Sequence, residues 1–421
     1  MTRLLLACFF LLSSGLFAAD ATLEIIKEAK SSLNIAVESK SQTRSQMDIK
    51  IGKMIEADLK VAGFYNVLNS PQGASPTLAP DSPIYQNAGL HQLIRYELFY
   101  EGTQVGIRAT VYDVKAKKQL WTQSYKVSKE DRYVFLSHHL VMDLANKAGV
   151  DLQWMNKYVL LSRQTTPKQT EIMIADYSLT YRQTIVRGGF NVFPKWADSK
   201  QTSYYYTHYD KKPTLYKVDL KTGQKTKIIE SEGMLVCSDV SKDGKKLLLT
   251  MARDDQPDVF EFEIEGRKLK KLTNFRGIDV NGHYIDDENS FVFVTDRLGY
   301  PEIFYAALKN PETAMQYVFK GRNNNYVTTW KHYAVFVSRD TDSEFAQNTF
   351  NLYLVSTKSN YIRQLTTTGK NNFPRFSSSG DTILHTKEIK RGKESALAVI
   401  RLPYNKSFLF PLEGSIQAID W

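Results

Sequence analysis

Cysteine is almost missing from these 421 residues: Cys8 lies in an apolar N-terminal stretch, and Cys237 stands alone in the remainder. A single thiol closes no internal disulfide, so the core has to stand on burial alone. Apolar runs of membrane-spanning length are also lacking, since the run at residues 4–12 is too short. The formal charge is +10, yet no basic run interleaved with aromatics occurs, which argues against nucleic acid as a partner. No Gly-rich phosphate cradle is present. The seven histidines offer no metal-ligand spacing. His138 and His139 are adjacent, so on a helix they point about 100° apart and cannot share an ion. His138 is expected to be a core or interdomain hydrogen-bonding group. No metal site, cofactor or enzymatic activity is expected.

What is present begins with an export signal. Met1, Thr2 and Arg3 form a positive start, residues 4–12 are apolar, and small residues precede the first acid, Asp20. Residues 1–19 therefore read as a signal peptide, cleaved after Ala18 or Ala19. Beyond it the chain is rich in aromatics, with 24 Tyr and 22 Phe, which favours strands over helices.

The second half repeats. Strand-like segments end at Trp196, Val240, Ile285, Trp330, Phe376 and Trp421, spaced by 44, 45, 45, 46 and 45 residues. The first five are followed by a turn, an apolar strand, a third strand and a more polar fourth. Such a unit of about 45 residues is a propeller blade, whose apolar faces must be covered by its neighbours. Residues 157–162, 171–177 and 181–186 look like a blade lacking its first strand, and residues 416–421 look like a first strand lacking its blade. Joined, they close a ring of six.

The first half does not share that period. Met47, Ile51, Met54, Ile55, Leu59 and Ala62 recur at helical spacing and stop at Gly63. Ser128 with Asp131 opens a second helix, running through Leu140, Leu144 and Ala148. Three strands lie between, at residues 92–100, 105–113 and 120–127, while residues 71–83 read as a loop. The expected fold is mainly β: a small N-terminal α/β domain at residues 20–150, then a six-bladed β-propeller at residues 151–421, closed by the C-terminal strand.

Specific segments carry a resemblance. They are residues 51–59 with Gly63 and Phe64, Tyr112-Asp113 with Leu120, Ser124-Tyr125-Lys126-Val127, and Arg132 before His138. In the repeats they are Pro194-Lys195-Trp196, residues 241–244, Thr295-Asp296-Arg297 with Pro301, and Pro374-Arg375-Phe376. Together these resemble the TolB family, periplasmic components of the Tol–Pal system of Gram-negative bacteria. Some turns depart from the family pattern, at residues 286–289 and at Lys331-His332. The resemblance implies a monomeric, periplasmic, non-enzymatic adaptor, peripheral to the membrane through its partners, supporting outer-membrane integrity and constriction at cell division. It implies binding of the lipoprotein Pal at the mouth of the propeller channel and of TolA by the mature N-terminal tail; outer-membrane porins are a further candidate partner.

On this sequence, the segments entering the first strands supply the expected Pal contacts: Asn191, Met234, Asp279, Asn281, Asn325, Tyr326, Asn372 and Phe373. Asn also suits turns without any ligand. The TolA contacts fall on Leu23, Glu24, Ile25, Ile26 and Lys27, a segment able to add an edge strand to a partner or to remain a fixed strand or helix of its own domain. Asp239 and Asp420, near the ends of first strands, approach the channel, where turn bonding is the ordinary role and an ion or water an alternative. Rival readings are a secreted propeller holding a glycan or small ligand in its channel, and a hydrolase. The chain has no Gly-x-Ser-x-Gly elbow, which a propeller-bearing prolyl peptidase requires.

Overall fold

A computed structural model describes residues 32–41, 43–253, 256–341 and 348–421. The signal segment and the tail residues Leu23, Glu24, Ile25, Ile26 and Lys27 lie outside the described residues.

The first part is a five-stranded sheet with helices. Strands β1 (Leu33–Ser39), β2 (Tyr65–Val67), β3 (Gln92–Glu101), β4 (Gln104–Asp113) and β5 (Lys118–Val127) order as β2-β1-β3-β4-β5. β1 pairs in parallel with β2 and β3, whereas β3, β4 and β5 form the expected antiparallel meander. Helix α1 (Gln46–Ala62) starts at the Ser45 side chain, which accepts the Asp48 N–H, and ends at Gly63 in the left-handed region. Residues 71–83 are indeed largely loop, but the short helix α2 (Pro83–Asn87) follows directly. The second long helix starts later than Ser128 and Asp131 suggest. Those residues lead into a 3₁₀ turn at Glu130–Arg132, and α3 (Val134–Lys147) follows it. Ile51, Ile55 and Leu59 of α1 and Leu136, Leu140 and Leu144 of α3 share one apolar core with the sheet.

The second part consists of antiparallel strands in groups of four. Three groups are separate sheets that start at Phe190–Trp196, Leu235–Val240 and Asp279–Ile285. Two more start at Arg322–Trp330 and Lys370–Phe376 and are joined by a single parallel pairing, Phe350 with Lys370. In the last sheet Ser415–Asp420 pairs antiparallel with Val159–Thr166, aligning Ile419 with Leu161, and Gln169–Ala175 and Arg182–Val186 complete the four. These six leading strands end at, or one residue before, the positions of the sequence repeat. Each packs beside the next in chain order, and Lys370–Phe376 lies against Ser415–Asp420.

Fully buried Tyr205, Leu249, Phe293, Phe336, Leu384 and Leu161 fill the spaces between sheets. They come from second strands, and each such side chain contributes about 1.5–3 kcal/mol.

A buried polar knot ties the two parts together. His138 of α3 is fully buried, with Nδ1 2.8 Å from Asp58 Oδ2 and Nε2 3.3 Å from Asp176 Oδ2. Ser137 donates to Asp58 at 2.5 Å, and the Tyr177 hydroxyl donates to the other Asp58 oxygen. The imidazole thus has the core hydrogen-bonding role expected for it. Two cations fasten the end of α1 to the sheet that starts at Lys370: Arg401 Nε donates to Ala62 O at 3.2 Å, and Lys406 Nζ to Gly63 O at 2.7 Å.

Candidate functional site

The leading strands share a local device. All six have a break in pairing register with the second strand, the mark of a β-bulge. At five bulges the extra residue is a non-glycine with left-handed backbone: Phe193 (φ 53°), Asn281 (φ 55°), Asn323 (φ 57°), Tyr326 (φ 47°) and Phe373 (φ 53°). Asn accepts that conformation readily, but each aromatic there costs about 1–3 kcal/mol, a strain that clusters at ligand-binding positions. Three of these five are among the expected Pal contacts.

The eight expected contact residues divide by burial. Met234 is exposed, and Asn281, Asn325, Tyr326, Asn372 and Phe373 are half-buried. The structure brings Tyr326 and Phe373 together, with ring centroids 4.4 Å apart. Asn191 and Asp279 are placed against expectation. Both are fully buried. The Asn191 amide donates to Gly188 O at 2.8 Å and Thr170 O at 3.3 Å and accepts from His208, which ties the entering turn to the preceding sheet. Asn371 does the same, donating to Phe350 O and Thr368 O. Asp279 Oδ1 faces Arg297 at 3.4 Å, while its Oδ2 is buried without a partner. Burial makes Asn191 a fastening and leaves no surface for a partner.

The opposite ends of the leading strands surround a cavity of about 930 Å³, which none of the eight residues lines. Its wall carries a charge chain. Lys195 Nζ stands 3.0 Å from Asp420 Oδ1 and 3.3 Å from Asp239 Oδ1, Arg375 Nε lies 3.3 Å from Asp420, and His283 Nδ1 is 3.7 Å from Asp239. Burial works to raise the Asp239 pKa, but the Lys195 charge and the His283 contact overcome it and hold the carboxyl well below its usual range. Burial depresses Lys195 as well, and Asp420 and Asp239 more than reverse this. His283 is lowered, chiefly by burial. Asp239 and Asp420 therefore reach the cavity as the sequence suggested. Their partners Lys195, Arg375 and His283 were missed, although Lys195, Asp239, Arg375 and Asp420 each stand one residue before a repeat end. Acids and bases neutralise one another here.

Comparison with known proteins places this geometry. The model of the TolB beta propeller domain matches residues 154–421, and that of the TolB amino-terminal domain matches residues 21–120. The Tol-Pal system protein TolB of Wolinella succinogenes is 45% identical over 414 residues, 97% of each chain. Its namesakes in Helicobacter hepaticus and Campylobacter jejuni are each 40% identical, over 98% and 99% of both chains. The crystal structure of TolB from Acinetobacter baumannii superposes with a TM-score of 0.77 over 94% of this chain and 98% of that one, at 20% identity, a likeness of fold. The repeated four-stranded sheets are those of a β-propeller domain, and the chain belongs to the TolB family.

Proposed function

We propose that the chain is a periplasmic, non-enzymatic adaptor of the Tol–Pal system, which binds Pal at one propeller mouth and TolA through residues 20–30. The domain boundary falls at residues 150 and 151, and six blades form a ring closed by the C-terminal strand. Pairing of Ser415–Asp420 with Val159–Thr166, and the packing of each leading strand on the next, support the closed ring. Outer-membrane integrity and constriction at division are the processes it serves, and it works as a monomer.

The observation that carries the Pal reading is the group of half-buried bulges at Asn281, Tyr326 and Phe373, strained at the two aromatics. Backbone held in a costly conformation beside adaptable amides suits recognition, because the cost is met on folding and not on binding. The contacts are Met234, Asn281, Asn325, Tyr326, Asn372 and Phe373. The tail, with Leu23, Ile25 and Ile26 set among charges, adds a strand to TolA.

Two titrations test this. Changing Asn281, Asn325 and Asn372 together to Ala is expected to weaken Pal binding by tenfold or more, and unaltered affinity dismisses this mouth. Deleting residues 20–30 is expected to abolish TolA binding and spare Pal; retained TolA affinity rejects the role given to the tail.

A further inference from the structure

Exposed apolar side chains gather on one sector of the molecule. Ile278, Leu298 and Phe319 are 46, 47 and 82% exposed. Each sits in a connection at the same end of the sheet that starts at Asp279–Ile285. Ile278 enters its first strand, Leu298 links the second and third, and Phe319 leaves the fourth. The connections touch: Ile278 N donates to Asp296 Oδ1 at 2.8 Å, Asn324 N donates to Pro301 O at 2.9 Å, and the Arg322 guanidinium covers the Tyr300 ring at 5.2 Å. They lie at the end of the sheets where Asn281 and Asn325 stand, near the start of their strands. Arg276 and Arg322, both exposed, flank these connections.

A solvent-exposed Phe among exposed aliphatics and arginines has the composition of an interface core with its rim. We infer that this patch is the off-axis half of the Pal-binding surface, covered by an apolar contact of the same partner whose acidic residues face Arg276 and Arg322. The inference rests on Pal binding at the adjoining mouth. Area argues for it. A specific complex buries about 800 Å² on each partner, and five of the six mouth contacts are already half-buried within the chain. Phe319 leaves most of an aromatic side chain, about 150–250 Å² in full, open to be covered.

The test is calorimetric titration of Pal from the same organism into the chain lacking residues 1–19, its L298S/F319S variant, and the Asn281, Asn325 and Asn372 triple variant. Both substituted side chains are exposed, so the patch variant is expected to melt with the parent. Its affinity should fall about tenfold or more. If the parent and patch variant bind alike while the triple variant is weakened, the patch inference is overturned and the mouth stands. If the parent does not bind Pal, both fall. Vesicles containing phosphatidylglycerol are the control. A loss of vesicle binding by the patch variant, with Pal affinity unchanged, reassigns the patch to a lipid surface and overturns the inference.

Discussion

Asp420 Oδ2 accepts the backbone N–H of Trp196 at 2.9 Å across 224 residues of chain. Asp239 does the same for Tyr284 N at 3.0 Å, so one carboxylate position serves twice as a latch from sheet to sheet. Asp420 also holds Lys195 and Arg375. Replacing it by Ala takes the acceptor from a buried N–H and from Arg375 and leaves Lys195 with Asp239 alone, and is expected to cost about 2–4 kcal/mol. D420N keeps an acceptor and should cost less. Removing residues 416–421, with buried Ile416 and Ile419, should cost more than either. Urea midpoints rank the three variants, and a truncated chain as stable as the parent refutes the latch.

The buried imidazole of His138 predicts an alkaline loss of stability. Burial alone would depress its pKa, but Asp58 and Asp176 overcome this and push it up to about 9. The folded value exceeds the ordinary 6.5, so this contribution is fully present below about pH 6.5 and is lost as pH rises through about 9. At most it amounts to about 3 kcal/mol. His139, His208, His283 and His385 are all lowered, chiefly by burial, so they act in the opposite sense and only below about pH 6.5. Tyr177 beside the knot is raised by burial, so its effect begins only above its ordinary value near 10. Stability should peak near neutrality and decline toward pH 9. H138Q should be less stable by about 3–5 kcal/mol, through loss of the cation between two buried carboxylates, and its profile should lack that decline. Denaturant melts at pH 6.5, 7.5 and 9 decide it; an unchanged slope in the variant refutes it.

Gly63 is required twice over. Its φ is +96°, and a Cβ there would fall on the Tyr404 ring, where the end of α1 meets the propeller. G63A should lose about 2–4 kcal/mol, part from the left-handed backbone and part from the collision. In a double-mutant cycle Y404A should relieve the collision and leave about 1 kcal/mol of backbone strain. Additive effects of the two changes contradict this account.

Cys237 should be inert in the native chain. It is buried, and burial drives its thiol pKa far above the usual value, with Lys195 only partly opposing this. With residues 1–19 removed, a thiol reagent should label the protein only after unfolding, and labelling in native buffer at the rate of a free thiol rejects the burial.

The repeat was legible because the aromatic or aliphatic residue ending each leading strand recurs in the sequence, and α1 because its apolar positions follow the helical period. β1 was not legible. Ile35 and Ala36 are adjacent and both fully buried, so a strand covered on both faces shows no alternation. α2, at five residues, is too short for any period to emerge. The onset of α3 was misplaced because Ser128 and Asp131 imitate a capping box, while the chain makes a 3₁₀ turn first. At the mouth, composition pointed to asparagines without telling which face they take. Asn371 is buried as a fastening, yet Asn372 beside it is half-exposed. One step along a strand reverses the side-chain direction, and the bulges shift that alternation in a way composition does not record.

The pairing of residues 415–420 with 159–166 also dictates the order of assembly. The inner partner of the earliest propeller sheet follows it by more than 200 residues of chain. Until that partner is in place Val159–Thr166 has an open edge, apolar at Val159, Leu160 and Leu161, able to recruit a strand from a neighbouring unfolded chain. A chain cut short anywhere between the two strands is therefore expected to aggregate or be degraded, and pelleting of such truncated proteins on expression checks it.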